Sequence, residues 1–192
     1  MNGSWFFATL LGAAFFVTAA GGARVDPRLL VLAGPDVPAG FHLHSGSSRY
    51  WSNTAFARGE PRLLRLVLDS GRVTGYSAVY DHRVGPLVDS IYSLSELCRT
   101  GAGAQVLFDA DDVEQRRLNA LRAKRGGRLY ERRSVPVGDQ AWLYRSTRAP
   151  RVTLVFWRAG RVVATVLTWG LSRDETVELA RAQQRRIHRT LG

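Results

Sequence analysis

The sequence predicts an α+β domain: an antiparallel, twisted sheet of about six to seven strands with three helices, the C-terminal one packed on the sheet. Three observations carry this. Alternating, β-branched stretches come in adjacent pairs joined by short Gly- or Pro-bearing turns, the pattern of antiparallel hairpins. Segments of helical period separate those pairs instead of alternating with single strands. The chain has 192 residues, 45% hydrophobic and 22% charged, which suits one domain with one sizeable core.

The elements follow in order. Residues 1–23 read as a signal peptide or an uncleaved N-terminal anchor, residues 24–40 as an extended lead, and residues 41–192 as a single domain. Val37-Pro38-Ala39-Gly40 is a turn feeding a short strand, Phe41 to His44. SGSSRYWSNTAFARGE is polar and without period, hence a loop. Pro61 opens the first helix at a position that needs no N–H, with Leu63, Leu64, Val67 and Leu68 on one face and Gly71 as terminator. RVTGYSAVYDH and LVDSIYSLSEL form a hairpin about Gly85-Pro86.

GAGAQVLFDADDVEQRRLNALRAKRGG is helical, with Ala104, Leu107, Phe108, Leu118 and Leu121 as its apolar side. An interruption is expected near Asp111-Asp112, because Asp favours caps and turns. Four strands follow, RLYERRSVPV, QAWLYRST, RVTLVFW and RVVATVLTW, punctuated by Gly138-Asp139, Ala149-Pro150 and Ala159-Gly160. In the last helix Ser172 and Glu175 make a capping box. Its inward stripe is Val177, Ala180, Gln184, Ile187 and Leu191, with Arg181, Arg185 and Arg189 along another face.

The first 23 residues carry no charge, and their apolar block runs from Trp5 to Ala20 with small residues at Gly21, Gly22 and Ala23. That is an export-signal pattern with cleavage after Ala23. About 16 apolar residues fall short of the roughly 20 that a membrane span needs. The absence of Lys or Arg before the block, with Arg24 and Arg28 after it, keeps the uncleaved anchor as the alternative. The expected location is therefore extracellular or at the cell envelope.

The net charge of +11 lies wholly outside that segment, and every basic residue except Lys124 is Arg. An exported basic protein meets anionic lipid or wall polymer before it meets nucleic acid. Basic residues concentrate at Arg116, Arg117, Arg122, Lys124, Arg125, Arg128, Arg132 and Arg133, the candidate anionic-surface contacts. Only Tyr130 interleaves with them, which disfavours single-strand nucleic-acid binding.

Little in the chain resembles catalysis. His42 and His44 share one strand face, but no third ligand stands near, so no metal or cofactor is expected. Ser, His and Asp are present without a nucleophile elbow. GAGAQV lacks the third Gly and the Lys of a phosphate loop. Asp109, Asp111 and Asp112 lack the spacing of a calcium loop and are expected at a solvated helix bend. The single cysteine, Cys98, reads as a small buried hydrophobe.

Aromatic residues are the better candidates for binding. Tyr50, Trp51 and Phe56 stand together in the polar loop, and Trp157 and Trp169 flank the final hairpin. A three-residue Arg158-Ala159-Gly160 loop with a G1 bulge pairs Trp157 with Arg161. In that register both tryptophans share one face, covered by a helix by preference or otherwise lining a concave site.

DVPAGFHL, GRVTGY, VGDQAWLYRS, VFWRAGRVVATV and LARAQQRRI together resemble exported α+β domains of actinobacterial-type bacteria, both small lipoproteins and the extracellular sensor domains of serine/threonine kinases. The resemblance spans Val37 to Ile187 and rests on turn glycines, core positions and the terminal helix. It departs in lacking a lipid-attachment cysteine and paired cysteines. It implies export and fold, and no catalytic residue. The expected function is an exported, non-enzymatic domain that binds a small ligand, an envelope component or a protein partner. The alternative is an envelope hydrolase with a dispersed Ser/His/Asp site.

Overall fold

The computed structural model describes residues 25–85, 87–124, 130–147 and 151–192. The expected signal over 1–23, the Ala149-Pro150 turn, Pro86, Arg125, Arg128 and the Gly126-Gly127 pair that closes the expected second helix lie outside the described residues. The elements are β1 (His42–Leu43), β2 (Arg49–Trp51), α1 (Asn53–Ala57), α2 (Pro61–Asp69), β3 (Arg72–Val84), β4 (Leu87–Cys98), α3 (Gly101–Lys124), β5 (Tyr130–Ser134), β6 (Gln140–Ser146), β7 (Val152–Ala159), β8 (Val162–Trp169) and α4 (Arg173–Leu191).

The fold is α+β, with eight strands in one antiparallel sheet ordered β1-β3-β4-β8-β7-β6-β5 and β2 also pairing β3. The chain builds the β3–β4 hairpin, crosses through α3 to the far edge, and returns as a meander until β8 closes against β4. Two segments differ from expectation. The polar loop holds a strand and a short helix, because Ser52 caps α1 with its hydroxyl on the Ala55 N–H and the RYW triplet pairs with β3. The lead is folded rather than extended. Two 3₁₀ turns place Leu30, Val31 and Leu32 in the core, latched by bonds from the Ser95 hydroxyl to the Pro27 carbonyl (2.8 Å) and from the Tyr80 hydroxyl to the Leu32 carbonyl (2.8 Å).

Strand alternation gives the sheet two unlike faces. One carries Ala78, Ile91, Val155, Trp157, Val162, Ala164 and Val166 beneath α4 and the lead, and holds the larger core. The other buries Cys98, Phe156 and Val163 under the first turns of α3, around Ala104, Leu107 and Phe108. α4 begins at the expected capping box: the Glu175 N–H donates to the Ser172 hydroxyl (3.2 Å) and the Ser172 N–H to the Glu175 carboxylate (2.7 Å). These bonds hold the Glu175 carboxyl below its ordinary value. Its contribution is therefore present above the ordinary carboxylate range and fades as pH falls below it. Ser172→Ala is expected to lower stability by about 1 kcal/mol, read by urea denaturation.

The final hairpin corrects the expected register. Ala159 pairs with Val162 and Trp157 with Ala164, leaving a two-residue Gly160-Arg161 turn. Gly160 takes φ +55 at the first turn position, where a II′ hairpin asks for glycine. With the register shifted from the expected one, Trp157 and Trp169 lie on opposite faces.

α3 supplies a second correction. It runs unbroken for 24 residues, with no bend at Asp111-Asp112. Its N-terminal turn sits so close to α2 that a Cβ on Gly103 would lie 1.9 Å from the Ser70 carbonyl oxygen. Backbone cannot yield there as a flexible side chain could. Gly103→Ala is expected to destabilise the fold clearly despite alanine's higher helix propensity, a sign that a thermal melt reads directly.

Candidate ligand-binding groove

α3 covers only part of its sheet face. It leaves a groove of about 510 Å³ with a sheet floor, α3 as one wall and Phe56 of α1 on the other side. Tyr92 and Leu94 of β4, Thr165, Leu167 and Trp169 of β8, and Leu154 of β7 belong to the floor. From α3 come Asp111, Gln115, Asn119 and Arg122. The first three recur every four residues, so they form one stripe on the helix. Two adjoining hollows share its residues: one of about 270 Å³ reaches Trp51 and Leu63, and a wider one of about 810 Å³ lies beyond Trp169 toward Val88 and Arg151. The groove is amphipathic across its width, apolar below and polar along α3. Its volume lies within the range of small-molecule sites.

Where Glu96 enters the groove, the charges are buried. Arg72, 3% exposed, donates from Nε to Glu96 Oε1 (2.9 Å) and from Nη1 to Asn53 Oδ1 (2.8 Å) and the Trp51 carbonyl (3.2 Å). Its guanidinium lies 4.5 Å from the Phe56 ring centre, and Nη2 is buried without a partner. Gly75 makes the room, since a Cβ there would lie 2.6 Å from Nη2. Burial pushes the Glu96 carboxyl above its ordinary value, against the opposing pull of Arg72. Asp111 is pushed well above the usual range, first by burial, then by the charge of Glu96. It keeps some accessible surface while lining the groove. Burial also pushes the Cys98 thiol up to about 11, so this cysteine is an inert core residue.

The adjacent Asp112 does different work. Its carboxylate accepts from Arg132 Nε (3.1 Å) and Nη2 (3.0 Å) and from the Tyr144 hydroxyl (3.0 Å), and pairs with Arg116 Nε (3.2 Å). Asn119 bonds both the N–H and the carbonyl of Tyr130, at 2.9 Å each. These contacts fasten α3 to β5 and β6, and so set the width of the groove. Burial first, then the bond to Asp112, pushes the Tyr144 phenol up to about 12. Tyr144→Phe is expected to lower stability by about 1.5–3 kcal/mol by deleting one hydrogen bond to a charged acceptor, read by chemical denaturation.

The candidate residues divide. Phe56 and Trp169 line the groove, and Trp169 is 37% exposed. Trp51 borders the smaller hollow, where its Nε1 donates to the Ser77 hydroxyl (3.0 Å) and Arg49 stacks on its ring at 3.9 Å. Tyr50 packs edge-on to Tyr76 and bonds Asp26, away from the groove. Trp157 is wholly buried on the α4 face, donating from Nε1 to Gln184 Oε1 (2.6 Å), so it is unavailable to a ligand in the groove.

Among the basic candidates, Arg116 and Arg132 hold Asp112, Arg117 pairs with Glu114 and Arg133 with Glu131. Arg122 stacks over Tyr130 at 5.0 Å, and Lys124 is exposed. The Arg stripe of α4 lies on the opposite sheet face from α3, yet Arg181 and Arg133 meet in a shallow hollow beside β5.

Sequence reasoning missed Arg72, Glu96, Gln115 and Asn119, and placed Asp111 at a solvated helix bend. A signal existed: the four-residue spacing of Asp111, Gln115 and Asn119 continues the buried face of α3 in polar residues. Glu96 likewise extends the Tyr92, Leu94 alternation. Among the described residues, no group of three or more His, Cys, Asp or Glu is placed to hold a metal. His42 is exposed on the outer strand β1 and His44 just after it, and neither imidazole bonds a hydroxyl or carboxylate of the described residues.

No family model matches the chain, and no curated protein matches it. Among solved structures it is similar to the extracellular domain of PknH from Mycobacterium tuberculosis, with TM-score 0.60 and 8% identity, over 90% of this chain and 98% of that one. That likeness shows a shared α+β fold over nearly the whole chain.

Proposed function

We propose that this chain is an exported, non-enzymatic domain that holds a small ligand in the groove between α3 and the sheet. The supporting observation is the groove itself: an apolar floor in a small-molecule volume, faced by an ordered polar stripe. The structural neighbour is an extracellular domain, which agrees with the signal-like N-terminus. A hydrolase built on dispersed Ser, His and Asp would need an imidazole in the groove, and His42 and His44 lie across β3 from it. The exposed Arg117, Lys124 and Arg133 would meet anionic lipid or wall polymer while the groove is occupied.

Export is tested by sequencing the N-terminus of the chain recovered outside the cell, which is expected to begin at Arg24. For the groove, a small molecule extracted with organic solvent from the purified wild type is expected to be missing from Leu167→Trp, which fills the floor. An identical extract from that variant would refute ligand storage in the groove.

A further inference from the structure

The chemistry of the ligand can be argued one step further, resting on the groove reading above. The carboxylate of Asp112 takes donors from Arg116, Arg132 and Tyr144. Asp111, one residue earlier and facing the groove, has no hydrogen-bond or ion-pair partner among the described residues. The bonds of the nearby guanidinium, Arg72, go to Glu96, Asn53 and Trp51. This half-buried carboxyl faces the groove with no protein donor, which leaves it open to one from a ligand.

The surrounding walls narrow what that donor is. Phe56, Tyr92, Tyr144 and Phe156 line the same groove, and aromatic ring faces attract cations. A ligand carboxylate would meet the buried charge of Glu96, and Asp111 could receive it only in its protonated form. A hydroxyl would satisfy one hydrogen bond and give Asp111 no counter-charge on ionising. From Glu96 toward Trp169, which pairs with Ser90, the floor extends roughly 20 Å of strand over Leu94 and Leu167, mostly apolar, with Thr165 beside Leu94.

We propose that the groove selects an apolar molecule bearing a primary amine, its ammonium seated against Asp111 and Glu96 and its body lying along Leu94, Leu167 and Trp169. Arg122 does not oppose this, because eleven helical residues place it about 16 Å from Asp111. The groups facing Asp111 are Glu96 from β4, Arg72 from β3 and Tyr144 from β6, with Tyr92 further along the floor. Asp111 carries a proton well above the ordinary carboxylate range. An ammonium entering the groove favours the ionised carboxylate, and the displaced proton leaves to solvent. Amine affinity therefore rises with pH through the raised Asp111 value, until the amine itself loses its charge.

The probes are n-octylamine, 1-octanol and octanoate, titrated into the purified full chain by calorimetry at about pH 7.5. Octylamine is expected to bind about tenfold tighter than either analogue, and Asp111→Asn to erase that preference, octylamine then binding no tighter than 1-octanol. A second measurement needs no variant: octylamine affinity should climb from about pH 5 to about pH 8 while that of 1-octanol stays flat. Equal binding of the three probes, tighter octanoate or a flat octylamine profile overturns the amine assignment and leaves the groove reading standing. Binding of none of the three overturns the groove reading itself.

Discussion

Trp157→Ala is expected to lower stability by about 3–5 kcal/mol, whereas Trp169→Ala should lower it by less than about 1 kcal/mol. Trp157 is fully enclosed between the sheet and α4 and spends its one donor on Gln184, so truncation leaves a large void and an orphaned acceptor. For a domain of this length the loss corresponds to roughly 6–20 °C in melting temperature. Trp169 is 37% exposed at the end of β8, so little burial is lost with it. The ordering reverses for binding. Trp169→Ala should weaken ligand retention, and Trp157→Ala, where still folded, should not. Melting curves and the extract assay on the two variants check both halves, and comparable stability losses would contradict the observed hairpin register.

Arg72→Met is expected to cost about 3–5 kcal/mol at neutral pH, because it removes the partner of a buried carboxylate. The side chains of Arg72 and Glu96 are 0% and 2% exposed, so water does not substitute for the lost guanidinium. The same change frees the Trp51 carbonyl and Asn53, which tie β2 and α1 to β3. The pH dependence has a definite sign. Burial already raises the Glu96 carboxyl with Arg72 present, and removing Arg72 raises it further. A folded state that holds this proton more tightly than the unfolded chain loses stability as pH rises above the ordinary carboxylate value. It recovers as pH falls below it. Denaturation of the variant at about pH 5 and about pH 7.5 should show the smaller deficit at the lower pH. Replacing both residues by apolar ones of similar size should restore much of the neutral-pH loss.

Asp111→Asn belongs to the same logic with the opposite sign. Wild-type Asp111 is raised, so its ionisation disfavours the folded state as pH climbs. The Asn variant lacks that burden and is expected to be the more stable form at alkaline pH, the gap closing in acid.

Some of this was legible from residues alone, and the reason is local. Hairpin turns, helix periods and the Ser172–Glu175 box are set by neighbours a few residues apart, so the α+β class and the strand-and-helix sequence followed from the chain. Other features depend on partners far away in sequence. The RYW triplet becomes a strand only because β3 offers an edge, and the lead folds only because Ser95 and Tyr80 bind its carbonyls. Asp111 and Asp112 resemble a solvated bend until Arg132 and Tyr144, 20 and 32 residues on, claim one of them. Trp157 and Trp169 change relation with a one-residue difference in a turn. Periodicity therefore determined the longer strands and helices of this protein and the apolar faces of its helices. Only tertiary packing decided that α3 stops short of covering its sheet face, because no local pattern records where a helix of given length lies across strands drawn from the whole chain.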